Sequence, residues 1–259
     1  MIDSFFLQQT LRRLRPKARQ ALVLIAVVVL AACAGQEEPY DAVQDLQEAY
    51  DKATISIQNG NYRRGIQIQE LLQARCPFSE FSRKIHLDLM YAYYKSGKTE
   101  LAIETADTFM RENPIHARVD YALYVKGLAY FDDGIGFLER TFRKDTSGRP
   151  PKDVDRAYQA FRRLVERYPA SEYAPDAQQR IVFLKNRLAT YENSVADYYL
   201  RRGAYVAAVN RAKNALEAYN GAESNDESLR LLISAYENLG MHDLAADARR
   251  VLELNFPGS

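Results

Sequence analysis

The chain has 259 residues, 27% of them charged, a formal charge of +1, 18 Tyr, 11 Phe, no Trp and two cysteines. So balanced a charge leaves no strong basic field and argues against nucleic acid as a partner. One of the two cysteines falls in a processing signal, so no intramolecular disulfide can form and stability has to come from packing.

At the start, Arg12, Arg13, Arg15, Lys17 and Arg19 form a cationic block ahead of the apolar run 21–32, the layout of a secretory signal. An apolar run of that length crosses about 18 Å as a helix, short of the ~30 Å hydrocarbon core, so it does not read as a membrane anchor. The cysteine directly after Leu30-Ala31-Ala32 resembles the bacterial lipobox, in which cleavage precedes the cysteine and its thiol is acylated. Residues 1–32 are thus expected to be a lipoprotein signal peptide, with Cys33 the lipidated first residue of the mature chain. Several acyl chains hold a bilayer stably where one does so marginally. In lipoproteins an Asp after that cysteine favours inner-membrane retention; Ala34 stands there, and the expectation is the outer membrane's periplasmic face. Removing 1–32 leaves 227 residues and takes the formal charge to −3. Residues 33–40 read as a lipidated tether.

A repeat follows. Gly60 and Gly97 are 37 residues apart, as are Gly203 and Gly240, and as are Pro77 and Pro114. Four residues before each glycine stands Ser56, Tyr93, Tyr199 or Tyr236; two after it, Tyr62, Thr99, Tyr205 or His242; five after it, Gly65, Ala102, Ala208 or Ala245. A left-handed glycine ends one helix, and a small residue one turn into the next lets two antiparallel helices approach. Pro77, Pro114, Asn220 or Pro257 stops the second helix. The fold expected is all-α, a tetratricopeptide-repeat solenoid of about five helix pairs, about ten helices.

In chain order, 41–115 holds repeats one and two, with helices at about 41–59, 62–75, 83–96 and 100–112. Repeat three, 116–171, pairs a helix at 119–131 with one starting near Asp153, where Ala157, Phe161, Leu164 and Pro169 carry the second-helix pattern. Between them 132–152, with Gly134, Gly136, Gly148, Pro150 and Pro151, reads as an inserted loop with a helical turn near 137–142. Repeats four and five fill 172–259. They open on one long helix near 174–202, whose apolar stripe is Ile181, Leu184, Leu188, Tyr191, Val195 and Tyr198.

Chemistry has no visible seat. His86, His116 and His242 lie in different repeats, no paired cysteines or H-E-x-x-H occur, and Gly134-Ile135-Gly136 lacks the strand a phosphate loop needs. The chain reads as no enzyme, with no metal and no cofactor beyond the lipid on Cys33. Binding is better supported. Adjacent helix residues point about 100° apart, so Tyr93 and Tyr94 cannot both be deep core. Two aromatics in Cys76-Pro77-Phe78-Ser79-Glu80-Phe81 sit in a connecting turn, where an extended aromatic peptide could dock. Arginine and tyrosine gather around Gly203 and along 210–211, a composition typical of protein interfaces.

Three segments, 86–95 (HLDLMYAYYK), 167–173 (RYPASEY) and 202–211 (RGAYVAAVNR), resemble the BamD family, the tetratricopeptide lipoproteins of the outer-membrane β-barrel assembly machinery. The resemblance covers 33–257, and Cys76 departs from it where relatives carry an aromatic. It implies a non-enzymatic scaffold and substrate-recognition role in the assembly and insertion of β-barrel proteins. The partners implied are the periplasmic domain of BamA, accessory Bam lipoproteins and unfolded outer-membrane proteins. On this sequence it puts Arg202, Tyr205, Asn210 and Arg211 on the BamA side, and Tyr62, Arg63, Phe78, Ser79, Phe81 and Tyr94 in a substrate-peptide groove. The alternative is a generic periplasmic repeat adaptor lipoprotein in cell-wall synthesis or division; a cell-wall hydrolase would need a catalytic constellation that is not found.

Overall fold

The computed structural model describes residues 42–75, 80–134 and 151–258. Cys33, Cys76, Phe78, Ser79 and the body of the 132–152 insertion lie outside them. The chain divides into two compact units, 1–48 and 49–259, of which the second is described along most of its length.

The described residues form ten α-helices and no strand. They are α1 (Ala42–Gln58), α2 (Tyr62–Arg75), α3 (Glu80–Lys95), α4 (Thr99–Glu112), α5 (Val119–Gly134), α6 (Lys152–Arg167), α7 (Ala174–Arg201), α8 (Tyr205–Ala218), α9 (Asn225–Asn238) and α10 (His242–Asn255). From α2 onward each packs on the next, and α3 also meets α5 and α7 meets α9, so first helices line up beside first helices. This is tetratricopeptide stacking, in which a helix pair buries its apolar face on its neighbours.

The repeat signature has a backbone cause. Gly60, Gly97, Gly203 and Gly240 all have φ between 72° and 78°. The amide after each glycine closes on the carbonyl of the position four before it: Asn61 to Ser56 (2.8 Å), Lys98 to Tyr93 (2.9 Å), Ala204 to Tyr199 (3.0 Å) and Met241 to Tyr236 (2.9 Å). That is the Schellman closure, which satisfies carbonyls a helix end leaves open. The small residue five after the glycine is the point of closest approach. A Cβ on Gly65 would stand 2.4 Å from Ile57 Cγ1, and Ala102, Ala208 and Ala245 are all buried.

α6 shows how the pattern becomes packing: Val154, Ala157, Phe161 and Leu164 are all buried. Phe161 fits over Gly127 of α5, where a Cβ would come within 2.6 Å of its ring. These side chains join Phe109, Leu123 and Leu184 in the central core, while a second cluster of Ala196, Ala208, Val209, Ala212, Leu232, Ile233 and Ala245 serves α7 to α10.

The long helix departs from its expected stripe. Leu184, Leu188 and Ala189 are buried, but Tyr198 is 48% exposed, and the buried positions beyond Ala189 are Glu192, Asn193 and Ala196. Asn193 donates from Nδ2 to the Ser224 carbonyl (2.9 Å) and accepts from the Ser228 hydroxyl (2.7 Å). Asn193 thus places a polar contact between α7 and α9 within this stretch, its amide bonded where it is buried.

Candidate functional site

The glycine turn that starts α2 sets Tyr62 at its first position, beside the first helix of the next repeat. There the Tyr62 and Tyr91 rings meet edge to face, 6.4 Å between centroids. Together with Thr54, Ile57, Gln58 and Asp88 they line a pocket of about 390 Å³. Asp88 accepts from Gln69 Nε2 (3.2 Å) and from the Tyr50 hydroxyl. Burial pushes the Asp88 carboxyl above its ordinary range, and those two bonds only partly offset it. Tyr50 in turn packs edge-on against Phe81 at 5.8 Å, and Lys84 lies 5.7 Å from the Phe81 ring. Tyr62 and Phe81 are thereby linked through Tyr50 and Asp88.

Tyr93 and Tyr94 part as adjacent helix residues must: Tyr93 is buried at 6% exposure, Tyr94 half-buried. The Tyr94 hydroxyl donates to Asp132 of α5 (2.9 Å), and burial with that bond pushes it up to about 12. Its bond thus runs to α5, one repeat on. Arg63 is exposed on α2 and is not among the residues lining the pocket. Phe78 and Ser79 lie outside the described residues.

Beyond this pocket the first-helix faces carry a constellation that the sequence reading did not single out. The Arg118 guanidinium lies 4.9 Å from the Tyr121 ring centroid and donates to the Tyr173 hydroxyl (3.2 Å) and Glu172 (3.3 Å). Tyr124 stacks on Tyr173 at 4.7 Å and donates to Asp176 Oδ2 (2.9 Å). Arg180 donates to the same carboxylate (2.6 Å) and covers the Phe131 ring at 4.8 Å. Burial alone would raise Asp176, yet the bonds from Arg180 and Tyr124 hold it below the usual carboxylate range, while burial and the Asp176 bond push Tyr124 up to about 12. The local signals were present, a Tyr pair three apart on α5 and an Asp–Arg pair four apart on α7. Only the fold brings them together.

At the α7–α8 turn the Arg202 guanidinium lies 5.4 Å from the Tyr198 ring, and Tyr198 meets Tyr199 at 5.7 Å. Tyr205 is half-buried and Asn210 exposed. Arg211 reaches back to Glu192 with Nη1 at 3.3 and 3.2 Å from its two carboxylate oxygens. Glu192 is buried at 7% exposure, so Arg211 supplies a counter-charge between α7 and α8 and its guanidinium is held above the ordinary value by that bond.

Among the described residues no three His, Cys, Asp or Glu side chains converge as a metal site, and no helix is long and apolar enough to cross a membrane. What the geometry offers is non-covalent: rings, guanidinium groups and a buried carboxylate along stacked helices.

A tetratricopeptide protein of Thermus thermophilus has 16% identity and a TM-score of 0.36, over 83% of this chain and 93% of that one. Sequence relatives are far nearer. "Outer membrane protein assembly factor BamD" of Neisseria meningitidis serogroup A is 42% identical over 237 residues, covering 90% of this chain and 89% of its own. The protein of the same description in Vibrio cholerae is 37% identical over 234 residues, covering 90% of this chain and 96% of its own. The family described as "YfiO: Outer membrane lipoprotein" matches residues 43–252. The chain therefore belongs to the YfiO family of outer membrane lipoproteins, together with the BamD assembly factors.

Proposed function

We propose that this protein is an outer-membrane protein assembly factor, a non-enzymatic scaffold that receives unfolded β-barrel clients and passes them on within a lipid-anchored complex. The observation that carries it is the juxtaposition of family membership with a run of aromatic and charged groups from Tyr62, at the start of α2, across α3 and α5 to Arg180 on α7. Such a line suits capture of an extended segment by ring burial and a few polar contacts, released without a covalent step. The client face is the pocket around Tyr62, Asp88 and Tyr91, continued by Phe81; Phe78 and Ser79, outside the described residues, join it on the resemblance alone. The face toward the periplasmic domain of BamA is the α7–α8 turn, with Arg202 and Asn210 exposed and Tyr205 and Arg211 half-buried beside them. Accessory Bam lipoproteins join the same C-terminal repeats, and an acylated Cys33 holds the assembly at the periplasmic side of the outer membrane.

Crosslinking in cells tests both faces. A photo-reactive residue at Asn210, chosen because Arg211 is committed to Glu192, is expected to capture BamA. One at Tyr62 is expected to capture unfolded outer-membrane proteins. Absence of BamA at 210 sinks the assignment of that face, and absence of client at 62 sinks the groove.

A further inference from the structure

Asp88 carries more than a structural role requires. Its carboxylate is bonded by two neutral donors, Gln69 and Tyr50, and no lysine or arginine of the described residues is among the groups that act on its charge. Gln69 is itself fully buried, and its carbonyl oxygen has no partner among the described residues. Since the other end of that amide bonds Asp88, two under-satisfied acceptors stand close together. A half-buried anion with no counter-charge among the described residues, beside a buried acceptor without a donor, is a costly arrangement for a side chain that only fills space. Asp88 lines a pocket whose other walls are Thr54, Ile57, Gln58 and the Tyr62 and Tyr91 rings, and Gln69 stands behind it. The outer ring already accepts a cation, for the Lys95 ammonium lies 6.0 Å from the Tyr91 centroid.

Acceptors behind and electron-rich rings in front select for a positively charged donor. At about 390 Å³ the pocket lies near the lower end of the ~300–1,000 Å³ range of ligand clefts, room for a side chain and not for a helix. We infer that it takes one lysine or arginine side chain of the extended client, its charged end on Asp88 and its stem along Tyr91. A chain-terminal carboxylate would meet the Asp88 charge, and an aromatic ring would leave that charge unpaired. The inference rests on the reading that this face receives client segments, and it adds a requirement for a basic residue within them.

The test is fluorescence anisotropy with the full chain purified in detergent. The probes are labelled dodecapeptides of alternating aromatic and polar residues, identical except for one position holding lysine, ε-acetyl-lysine or norleucine. The lysine peptide is expected to bind about tenfold more tightly than the other two, the scale of a partly desolvated ion pair with a cation–π contact. That ratio should collapse toward one in Asp88→Asn. It should narrow in Tyr91→Leu and return in Tyr91→Phe, which keeps the ring. Equal affinity for all three peptides, or a lysine preference that survives Asp88→Asn, overturns the cation pocket and leaves the peptide-binding reading standing. Failure of every peptide to bind overturns both.

Discussion

Asp88 and Arg211 show how much one side chain's surroundings decide. Because burial raises the Asp88 carboxyl above its ordinary 3.8, the folded chain holds that proton more tightly than the unfolded chain does. Its contribution is then full below pH 3.8 and is lost as pH rises through the folded value. At neutral pH the charge opposes folding, so Asp88→Asn should leave Tm equal or higher at about pH 7.5, with any gain vanishing below about pH 4. Thermal melts across that range check it, and a variant markedly less stable at neutral pH would contradict it. Arg211 presents the reverse case. Arg211→Ala leaves Glu192 buried without its counter-charge and should cost about 1–3 kcal/mol, less than a fully buried pair because the arginine is 43% exposed. Adding Glu192→Gln should recover most of that loss in a denaturant melt. If it does not, the arginine acts elsewhere.

For whole helices, the same residue type serves two ends. Gly97 has φ of +74° with nothing near its missing Cβ, whereas Gly127 is an ordinary helix position whose Cβ would strike Phe161 at 2.6 Å. Gly97→Ala should cost about 1 kcal/mol through backbone strain and leave the core untouched. Gly127→Ala should cost about 1–3 kcal/mol by forcing α5 from α6, and Phe161→Leu in the same chain should relieve part of it while Gly97→Ala gains nothing. Denaturation midpoints of Gly97→Ala and Gly127→Ala, each with and without Phe161→Leu, distinguish the two mechanisms. The helix pairs were legible from such features: the glycine spacing, the small residue five later and the apolar period all act within a few residues. The lower half of α7 was not legible. Glu192 and Asn193 look like solvent-facing residues until Arg211, 19 positions on, and Ser228, 35 positions on, arrive to bond them.

For the molecule as a whole, the expectation that depends least on folding is the anchor. Cys33→Ala should leave the chain unacylated and released from the membrane fraction, and normal retention of that variant would refute the lipobox assignment. The sequence by itself determined the repeat, the helix order and the resemblance to a family, because caps, periodicity and processing signals are local chemistry. The candidate site followed only in part. Tyr62 and Phe81 were legible as aromatics at turns, yet their link through Tyr50 and Asp88 depends on Tyr50 of α1 reaching Phe81 and Asp88 of α3. Tyr94 bonds Asp132, 38 residues away, and Arg118 bonds Tyr173, 55 residues away. Only the tertiary structure decided that no cation among the described residues stands by Asp88, since that depends on which charged groups the stacked helices bring near it, and no spacing along the chain records it.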